Sequence, residues 1–264
     1  MKKIATIFLA GSVFASAFAG SAAHAQTAPP AQASGGDDCT PSAADFAALQ
    51  AIQTNPDLTP AQELGQELAL RKQLLGETLA CAISDAQALQ QSLNGTAMTG
   101  AAATVQSQVS DKLDDAVNFY NTESGKLADA GISGTEAVAR DVLAWRAANY
   151  APLEGEANNL ILWSENQPLF ETAQNRLTQT GRVVDLIETA SQNNELQASY
   201  SAAQASLEQA GNGNAAAFAA LQQFQAPNQS LTLIRQSLQT LAGTYQKFSD
   251  LNGLIQTLLP AAGQ

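Results

Sequence analysis

The sequence predicts an all-α protein, an elongated antiparallel helical bundle with coiled-coil-like seams, in which residues 39–264 form a single domain. From Pro41 onward, apolar residues recur with the three- and four-residue spacing of one helix face. The segments with this period are separated by short turns rich in glycine, asparagine and proline. No run of alternating β-branched residues indicates a strand.

The first two predicted helices are marked by their boundary residues. The first covers about 42–54 and ends just before Pro56. The second begins at Thr59, an N-cap residue followed by a proline that suits the first helical turn, and extends to Leu93 before Gly95. The apolar side of the first helix consists of Phe46, Leu49 and Ile52.

Three helices are predicted in the middle of the chain. One covers about 101–127, and the next runs from Thr135 to about 148, where Pro152 interrupts it. The third covers 154–193 and is expected to break or kink at Pro168.

After these, a helix over 195–210 is expected to end at the turn Gly211-Asn212-Gly213. A short helix then runs to Phe224, and Pro227-Asn228 closes it. These boundaries rest on glycine and proline, which rarely lie inside a helix.

The last predicted helix, about 229–259, has the clearest seam in the chain. Asn252 is the single polar position in this seam, and a buried asparagine at such a place often fixes register. Alternatively, Leu251 turns inward and Asn252 faces water. The seam also suits pairing between two chains. Its members are Leu231, Ile234, Leu238, Leu241, Tyr245, Phe248, Asn252, Ile255 and Leu259.

The first 25 residues have the features of a bacterial secretory signal peptide. Lys2 and Lys3 precede an apolar run, and Ala23-His24-Ala25 gives the small-x-small pattern that signal peptidase recognises. We therefore expect cleavage after Ala25 and a periplasmic or extracellular mature protein. Residues 26–38, rich in Pro, Gly, Ala, Ser and Gln, are expected to form a disordered leader.

The chain is strongly acidic. Its net charge of −12 becomes −14 once Lys2 and Lys3 are removed with the signal peptide. Such a chain is repelled by nucleic acid and by anionic membrane surfaces. After the signal peptide, no apolar run approaches the roughly 18 residues that a membrane span requires. We expect no nucleic-acid partner and no transmembrane anchor.

Cys39 and Cys81 are the only cysteines, and in an exported protein they are expected to form one disulfide. The bond would close a loop of about 40 residues and, in the chain-entropy model, stabilise the fold by about 4 kcal/mol. A redox role is the alternative, although the chain lacks a Cys-x-x-Cys motif and a clustered base that would activate a thiol.

The mature chain offers little catalytic chemistry. Its only histidine, His24, lies in the signal peptide. Without imidazole, Ser-His-Asp and Cys-His catalysis lack their base, and zinc, haem and copper lack a usual ligand. Asp111, Asp114 and Asp115 share one predicted helix, a geometry poorly suited to calcium. We expect no metal, no cofactor and no enzymatic activity.

One short segment points to an enzyme. Asn121-Thr122-Glu123-Ser124-Gly125, followed by Gly131-Ile132-Ser133-Gly134, resembles the Glu-Ser signature of lytic transglycosylases. The resemblance implies that Glu123 acts as general acid and base on peptidoglycan, with its pKa raised by burial. The Gly-Leu-Met-Gln segment that follows in this family is absent. The alternative interpretation is a helix end near Gly125.

Aromatic and basic residues are concentrated between residues 119 and 170. Tryptophan, tyrosine and arginine dominate binding hot spots, so this concentration is a candidate ligand pocket or partner-docking patch. Helical spacing also fits packing of the rings where the third, fourth and fifth helices meet. The candidate binding patch consists of Tyr120, Arg140, Trp145, Arg146, Tyr150 and Trp163.

The predicted helices are rich in Ala, Gln, Asn, Ser and Thr and poor in lysine. This composition is similar to that of envelope scaffolding proteins, flagellin-like subunits and periplasmic pilus-tip components of type IV secretion systems. We expect an exported non-enzymatic protein that binds another protein, or itself, in the cell envelope or in a secretion or surface assembly. The alternatives are a soluble protein that binds a small molecule at the aromatic patch and a lytic transglycosylase-like enzyme.

Overall fold

The described residues from Ala43 onward are mostly helical, as the sequence predicts. The computed structural model describes residues 39, 41–191, 194–224 and 227–258, which belong to one unit and contain no strand. The predicted signal peptide (1–25), its cleavage site after Ala25 and the leader (26–38) lie outside the described residues. The helices are α1 (Ala43–Thr54), α2 (Pro60–Gly95), α3 (Ala101–Lys126), α4 (Ile132–Trp145), a π-helical segment (Arg146–Tyr150), α5 (Ala151–Ser191), α6 (Asn194–Leu221) and α7 (Pro227–Leu258).

Side-chain caps fix where the first two helices begin. Ser42 Oγ accepts a hydrogen bond from the Asp45 backbone N–H at 3.3 Å, and Thr59 Oγ1 accepts one from Gln62 at 3.4 Å. The side chains of Asp45 and Gln62 accept bonds from the backbone N–H groups of Ser42 and Thr59 in return. These reciprocal capping boxes explain why both predicted starts are confirmed.

α2, α3 and α4 pack together, with α3 antiparallel to α2. Gln106 Nε2 on α3 donates to the carbonyl oxygens of Leu93 (2.6 Å) and Thr96 (2.9 Å), which holds the α2–α3 turn in place. α4 lies against the first half of α2, where Arg71 Nη1 is 3.1 Å from Glu136 Oε1. We call this group of helices, with the π-helical segment, the body.

α5 and α7 run parallel to each other. At their beginnings, Asn159 Nδ2 donates to the carbonyl oxygen of Pro227 at 2.7 Å. Further along, Tyr245 Oη donates to the carbonyl oxygen of Leu169 at 3.0 Å. α5 alone has 41 residues, which corresponds to about 60 Å of helix.

α6 runs antiparallel to both and lies very close to α7. Thr244 Oγ1 of α7 donates to Ser206 Oγ of α6 at 3.0 Å. Seven residues later in α6 and seven residues earlier in α7, Gly213 of α6 faces Ser237 of α7. A Cβ atom on Gly213 would lie 3.2 Å from Ser237 Cβ. Small side chains therefore set the separation of these two helices.

The core is divided into three clusters along α5, α6 and α7. The largest cluster joins the body to the first part of α5 and to the α6–α7 turn. Two smaller clusters continue outward between α5, α6 and α7 alone, in a part of the molecule that we call the stalk. The middle cluster contains Phe170, Ala173, Ala203, Leu207, Ala210, Leu241 and Phe248. The outer cluster contains Val184, Ile187, Leu196, Leu251 and Ile255.

In the predicted seam of α7, every second member is buried as expected: Ile234, Leu241, Phe248 and Ile255. The members between them do not follow the prediction. Asn252 is exposed and Leu251 is completely buried, which is the alternative arrangement that the sequence allowed. Leu238 and Tyr245 are only partly buried, because Ser237 and Thr244 take the inner positions. The seam packs within the chain, and its buried members are Ser230, Ile234, Ser237, Leu241, Thr244, Phe248, Leu251 and Ile255.

Several predicted helix boundaries were wrong. α6 continues through Gly211-Asn212-Gly213, where Gly213 serves the close approach to α7 and the neighbouring turns remain helical. α7 begins at Pro227, which is a helix start and not a helix end. Pro152 lies at the start of α5 and Pro168 inside it, and α5 is a single helix from Ala151 to Ser191, so the expected break at Pro168 is absent.

α1 lies on α2 without burying any residue of its own. The predicted disulfide is confirmed: Cys39 and Cys81 are bonded, with their Cα atoms 5.5 Å apart. At the other end of α1, Gln53 Nε2 donates to Glu67 Oε1 at 3.1 Å. Phe46 on α1 is still 46% exposed, so the disulfide does more than burial to keep α1 in place.

Within the described residues, no helix combines the length and the apolar character that crossing a bilayer requires.

Candidate functional site

Aromatic rings from α3, α4 and the π-helical segment pack into one cluster. Phe119 and Trp145 stack with ring centroids 4.2 Å apart and planes 12° apart. Tyr120 meets Trp145 edge-on at 5.5 Å and Tyr150 edge-on at 6.0 Å. Tyr120 and Tyr150 are fully buried. The rings therefore serve mainly to pack these elements together.

The π-helical segment positions two residues of this cluster. The Ala151 N–H donates to the carbonyl oxygen of Arg146, five residues earlier, and this widens the turn. Pro152 has no N–H and would crowd the carbonyl of Ala148 in a regular α-helix, so the wider turn accommodates it without ending the helix. The Arg146 guanidinium lies over the Tyr150 ring, 5.0 Å from its centroid.

Charged groups lie at the edge of the aromatic cluster. Burial raises the pKa of Glu154, an effect that Arg146 opposes and Asp85 increases. Burial likewise raises the pKa of Tyr120 and of Tyr150; Arg146 lowers both values, while Glu154 and Asp85 raise them. Tyr120 Oη makes no well-aligned hydrogen bond among the described residues, but the Arg146 side chain lies close enough to lower its pKa. This environment favours neutral phenols next to a single arginine.

The disulfide adjoins this group through Asp85. Asp85 Oδ2 lies 2.9 Å from Cys39 Sγ. A disulfide sulfur has no proton to donate, so this is a close contact and not a hydrogen bond. Within the described residues, Cys39, Cys81 and Asp85 are the only three potential metal-ligating side chains that meet, with their ligand atoms within 4.8 Å of one another.

The structure brings together four of the six residues of the predicted binding patch. Tyr120, Trp145, Arg146 and Tyr150 come together as described, but Trp163 does not join them. Trp163 stacks on Phe218 of α6 at 4.5 Å, and its Nε1 donates to the Asn214 carbonyl oxygen at 3.3 Å. Arg140 is exposed on α4 and makes no ion pair or ring contact within the described part of the chain.

Glu123, the residue implied by the resemblance to lytic transglycosylases, is 3% exposed near the end of α3. Its Oε1 is 2.5 Å from Lys126 Nζ, and its Oε2 has no hydrogen-bond partner among the described residues. A carboxyl group buried to this extent presents no surface to a polysaccharide in this conformation.

Asp85 and Glu154 were not among the residues predicted from the sequence. Cys81 and Asp85 are four residues apart on α2 and therefore share one helix face. An aspartate on the face that also carries a disulfide cysteine was a usable signal. Glu154 had no such signal, because it lies near Asp85 only through the packing of two helices that are distant in the sequence.

An open depression also lies on the stalk, away from the aromatic cluster. It is lined by Gln174 and Leu177 of α5 and by Gln204, Leu207, Glu208, Gly211 and Asn212 of α6. These side chains are mostly amides and aliphatic groups, which supply no set of convergent charges. The depression therefore indicates no particular ligand chemistry.

By fold, the chain is a helical-bundle protein with one disulfide. It matches no protein-family model, no curated protein and no solved structure. The candidate sites are therefore inferred from the residues of this chain alone.

Proposed function

We propose that the chain is an exported, non-enzymatic helical protein that acts by binding another protein in the cell envelope or in a secretion or surface assembly. The observation that carries the proposal is a short apolar strip on α5 in the stalk, formed by Val183 and Leu186, which are one turn apart. Leu186 is 73% exposed and Val183 38%. Leu169, 45% exposed, lies on the same side of α5 but about 21 Å earlier along the helix. Exposed apolar strips on otherwise polar helices suit contact with a partner.

The aromatic cluster supports a protein partner over a small molecule. Its ring faces are taken by contacts between helices, and its two tyrosines are fully buried. A small ligand needs open apolar walls and a few convergent polar groups. Export itself rests on the predicted signal peptide, and the Cys39–Cys81 disulfide is typical of an exported chain.

The test is site-specific photo-crosslinking in the cell, with the crosslinker at Leu186 and a matched control at Asn252. Asn252 is exposed on α7 beside Leu251, which belongs to the outer cluster of the stalk, so both sites lie in the same part of the molecule. We expect a reproducible envelope or secretion protein from Leu186, much less from Asn252, and loss of the partner in Leu186→Ser. Because Leu186 is mostly exposed, this variant should fold normally.

Two results would overturn the proposal. One is equal crosslinking at both sites, or recovery of no protein at either. The other is turnover of peptidoglycan by the purified protein with loss of turnover in Glu123→Gln, which would indicate a cell-wall enzyme.

A further inference from the structure

The connection between Cys39 and Cys81 decides whether α1 stays on α2. α1 has 12 residues and buries none of them. Helices of this length are marginally stable in water without tertiary packing. Gln53 and Glu67 give α1 one side-chain hydrogen bond to α2, on an exposed surface. If the disulfide is reduced, little else holds the beginning of α1 against α2.

Three potential ligand atoms meet at this connection. Asp85 Oδ2 is 2.9 Å from Cys39 Sγ, and a carboxylate oxygen and both sulfur atoms lie within 4.8 Å of one another. Zinc bound at about 2.0–2.3 Å from each ligand atom places those atoms roughly 3.5 Å apart. Small side-chain movements would therefore convert the present arrangement into a coordination site once the S–S bond is absent.

The two halves of this group differ in rigidity. Cys81 and Asp85 are one turn apart in the middle of α2, so the helix fixes their separation. Cys39 comes from the segment that precedes α1 and supplies the third ligand atom. Two thiolates and one carboxylate carry three negative charges, and a divalent cation with an affinity for sulfur compensates two of them.

We propose that, in the dithiol form of the protein, Cys39, Cys81 and Asp85 bind Zn²⁺, and that the ion then holds α1 on α2 in place of the disulfide. The disulfide and the metal exclude each other because both require the same two sulfur atoms. Water completes a tetrahedral site with three protein ligands. The site is independent of the proposed partner-binding strip on α5.

The disulfide form changes into the zinc-bound form in two steps, reduction and metal binding. A dithiol reductant of the thioredoxin-like class gives two electrons and two protons to the disulfide, becomes a disulfide itself, and leaves two thiols. Zn²⁺ then forms two Zn–S bonds, and the two thiol protons pass to water. An oxidant of the disulfide-donating class reverses the first step after the metal has left.

The experiment uses the exported protein, purified without a histidine tag and reduced with a phosphine in the absence of oxygen. Co²⁺ is the spectroscopic probe, and Zn²⁺ is titrated in competition. We expect thiolate-to-cobalt charge-transfer absorption in the reduced protein and none in the same protein with its disulfide intact. Asp85→Asn should weaken zinc binding by at least about tenfold, since even outer-shell partners of a metal site are worth that much.

A matched control and a second measurement keep the test independent of misfolding. Glu77 lies one turn before Cys81 on α2, whereas Asp85 lies one turn after it, and Glu77 does not belong to the group of ligand atoms at the disulfide, so Glu77→Gln should leave zinc affinity unchanged. Hydrogen exchange of residues 43–54 should accelerate on reduction and slow again when Zn²⁺ is added. The proposal is overturned if reduced, helical protein gives no charge-transfer absorption, if Asp85→Asn binds zinc as tightly as the parent, or if Zn²⁺ leaves exchange in α1 unchanged.

Discussion

Phe119 stacks on Trp145 with ring centroids 4.2 Å apart, and this contact joins α3 to the last residue of α4. The π-helical segment begins at the next residue, so the stack fixes the helix just where its turn widens. It also shields one side of Tyr120, whose ring meets both partners edge-on. The contact therefore holds the end of α4 and the start of the π-helical segment against α3 within the body.

The stacked pair should show measurable coupling. We expect Phe119→Leu and Trp145→Leu to be non-additive by about 0.5–1.5 kcal/mol, because stacked aromatic pairs contribute this much beyond their buried area. A double-mutant cycle in urea measures the coupling. Phe119→Leu with Trp163→Leu is the control, since these rings are not in contact and their effects should add within about 0.5 kcal/mol. Additive effects in both cycles would contradict the prediction.

Loss of the hydroxyl group should change the free energy of unfolding in opposite directions for Tyr120, which is buried, and for Tyr245, which is partly buried. Tyr120→Phe should raise the free energy of unfolding by up to about 1 kcal/mol, because it removes a buried hydroxyl that makes no well-aligned hydrogen bond and only lies near the Arg146 side chain. Tyr245→Phe should lower it by about 1 kcal/mol, because Tyr245 Oη donates to the Leu169 carbonyl. Urea unfolding compares the two variants, and destabilisation by Tyr120→Phe would reveal a partner for that hydroxyl.

Gly155 allows the beginning of α7 to approach α5. A Cβ atom at this position would lie 2.9 Å from Pro227 Cβ, and the proline ring has little freedom to move. Gly155→Ala should therefore cost about 1–3 kcal/mol through overpacking. Gly243 in α7 has open space around the same atom, so Gly243→Ala should stabilise by up to about 1 kcal/mol through helix propensity. Thermal unfolding of both variants tests the contrast, which equal signs would contradict.

Glu154 should make the fold less stable as the pH rises. Burial raises its pKa above the ordinary value of 4.5, so the folded state holds this proton more tightly than the unfolded state does. The contribution favours folding below pH 4.5 and is lost as the pH rises through the raised folded-state value. Glu154→Gln removes this dependence and should therefore gain stability relative to the parent between about pH 4 and about pH 7.

Urea unfolding at the two pH values measures this gain, and a difference that does not change with pH would contradict the assignment. Arg146 supplies a second check, because its guanidinium opposes the shift. Arg146→Gln should raise the pKa of Glu154 further, as read from the carboxyl resonance in NMR titration.

Local signals in the sequence were enough to predict most of the helices. Ser42 and Thr59 mark helix starts because a capping box depends on residues three apart in the chain. Gly211 to Gly213 misled the prediction, because in this structure the lack of a side chain at Gly213 serves a contact with Ser237 on another helix. A contact between two helices that are separate in the sequence cannot be predicted from the residues of one helix alone.

The same distinction applies to the seam of α7 and to the aromatic cluster. Ser237 and Thr244 are buried because α6 offers small residues opposite them, and a search for large apolar residues cannot find such positions. The sequence predicted the grouping of Tyr120, Trp145 and Tyr150 because they lie in one segment of the chain in which aromatic residues are concentrated. Asp85 enters the same neighbourhood from α2, so its role depends on tertiary packing.

The division of the core into three clusters gives the molecule a gradient of cooperativity along its length. Among the residues that the structure describes, the outer cluster contains 5 buried side chains, against 18 in the cluster that joins the body to the stalk. Local openings cost least where few apolar contacts are lost. The far end of the stalk is thus able to fray and close again while the body remains intact, so that one continuous set of helices behaves as a firm base with a compliant end.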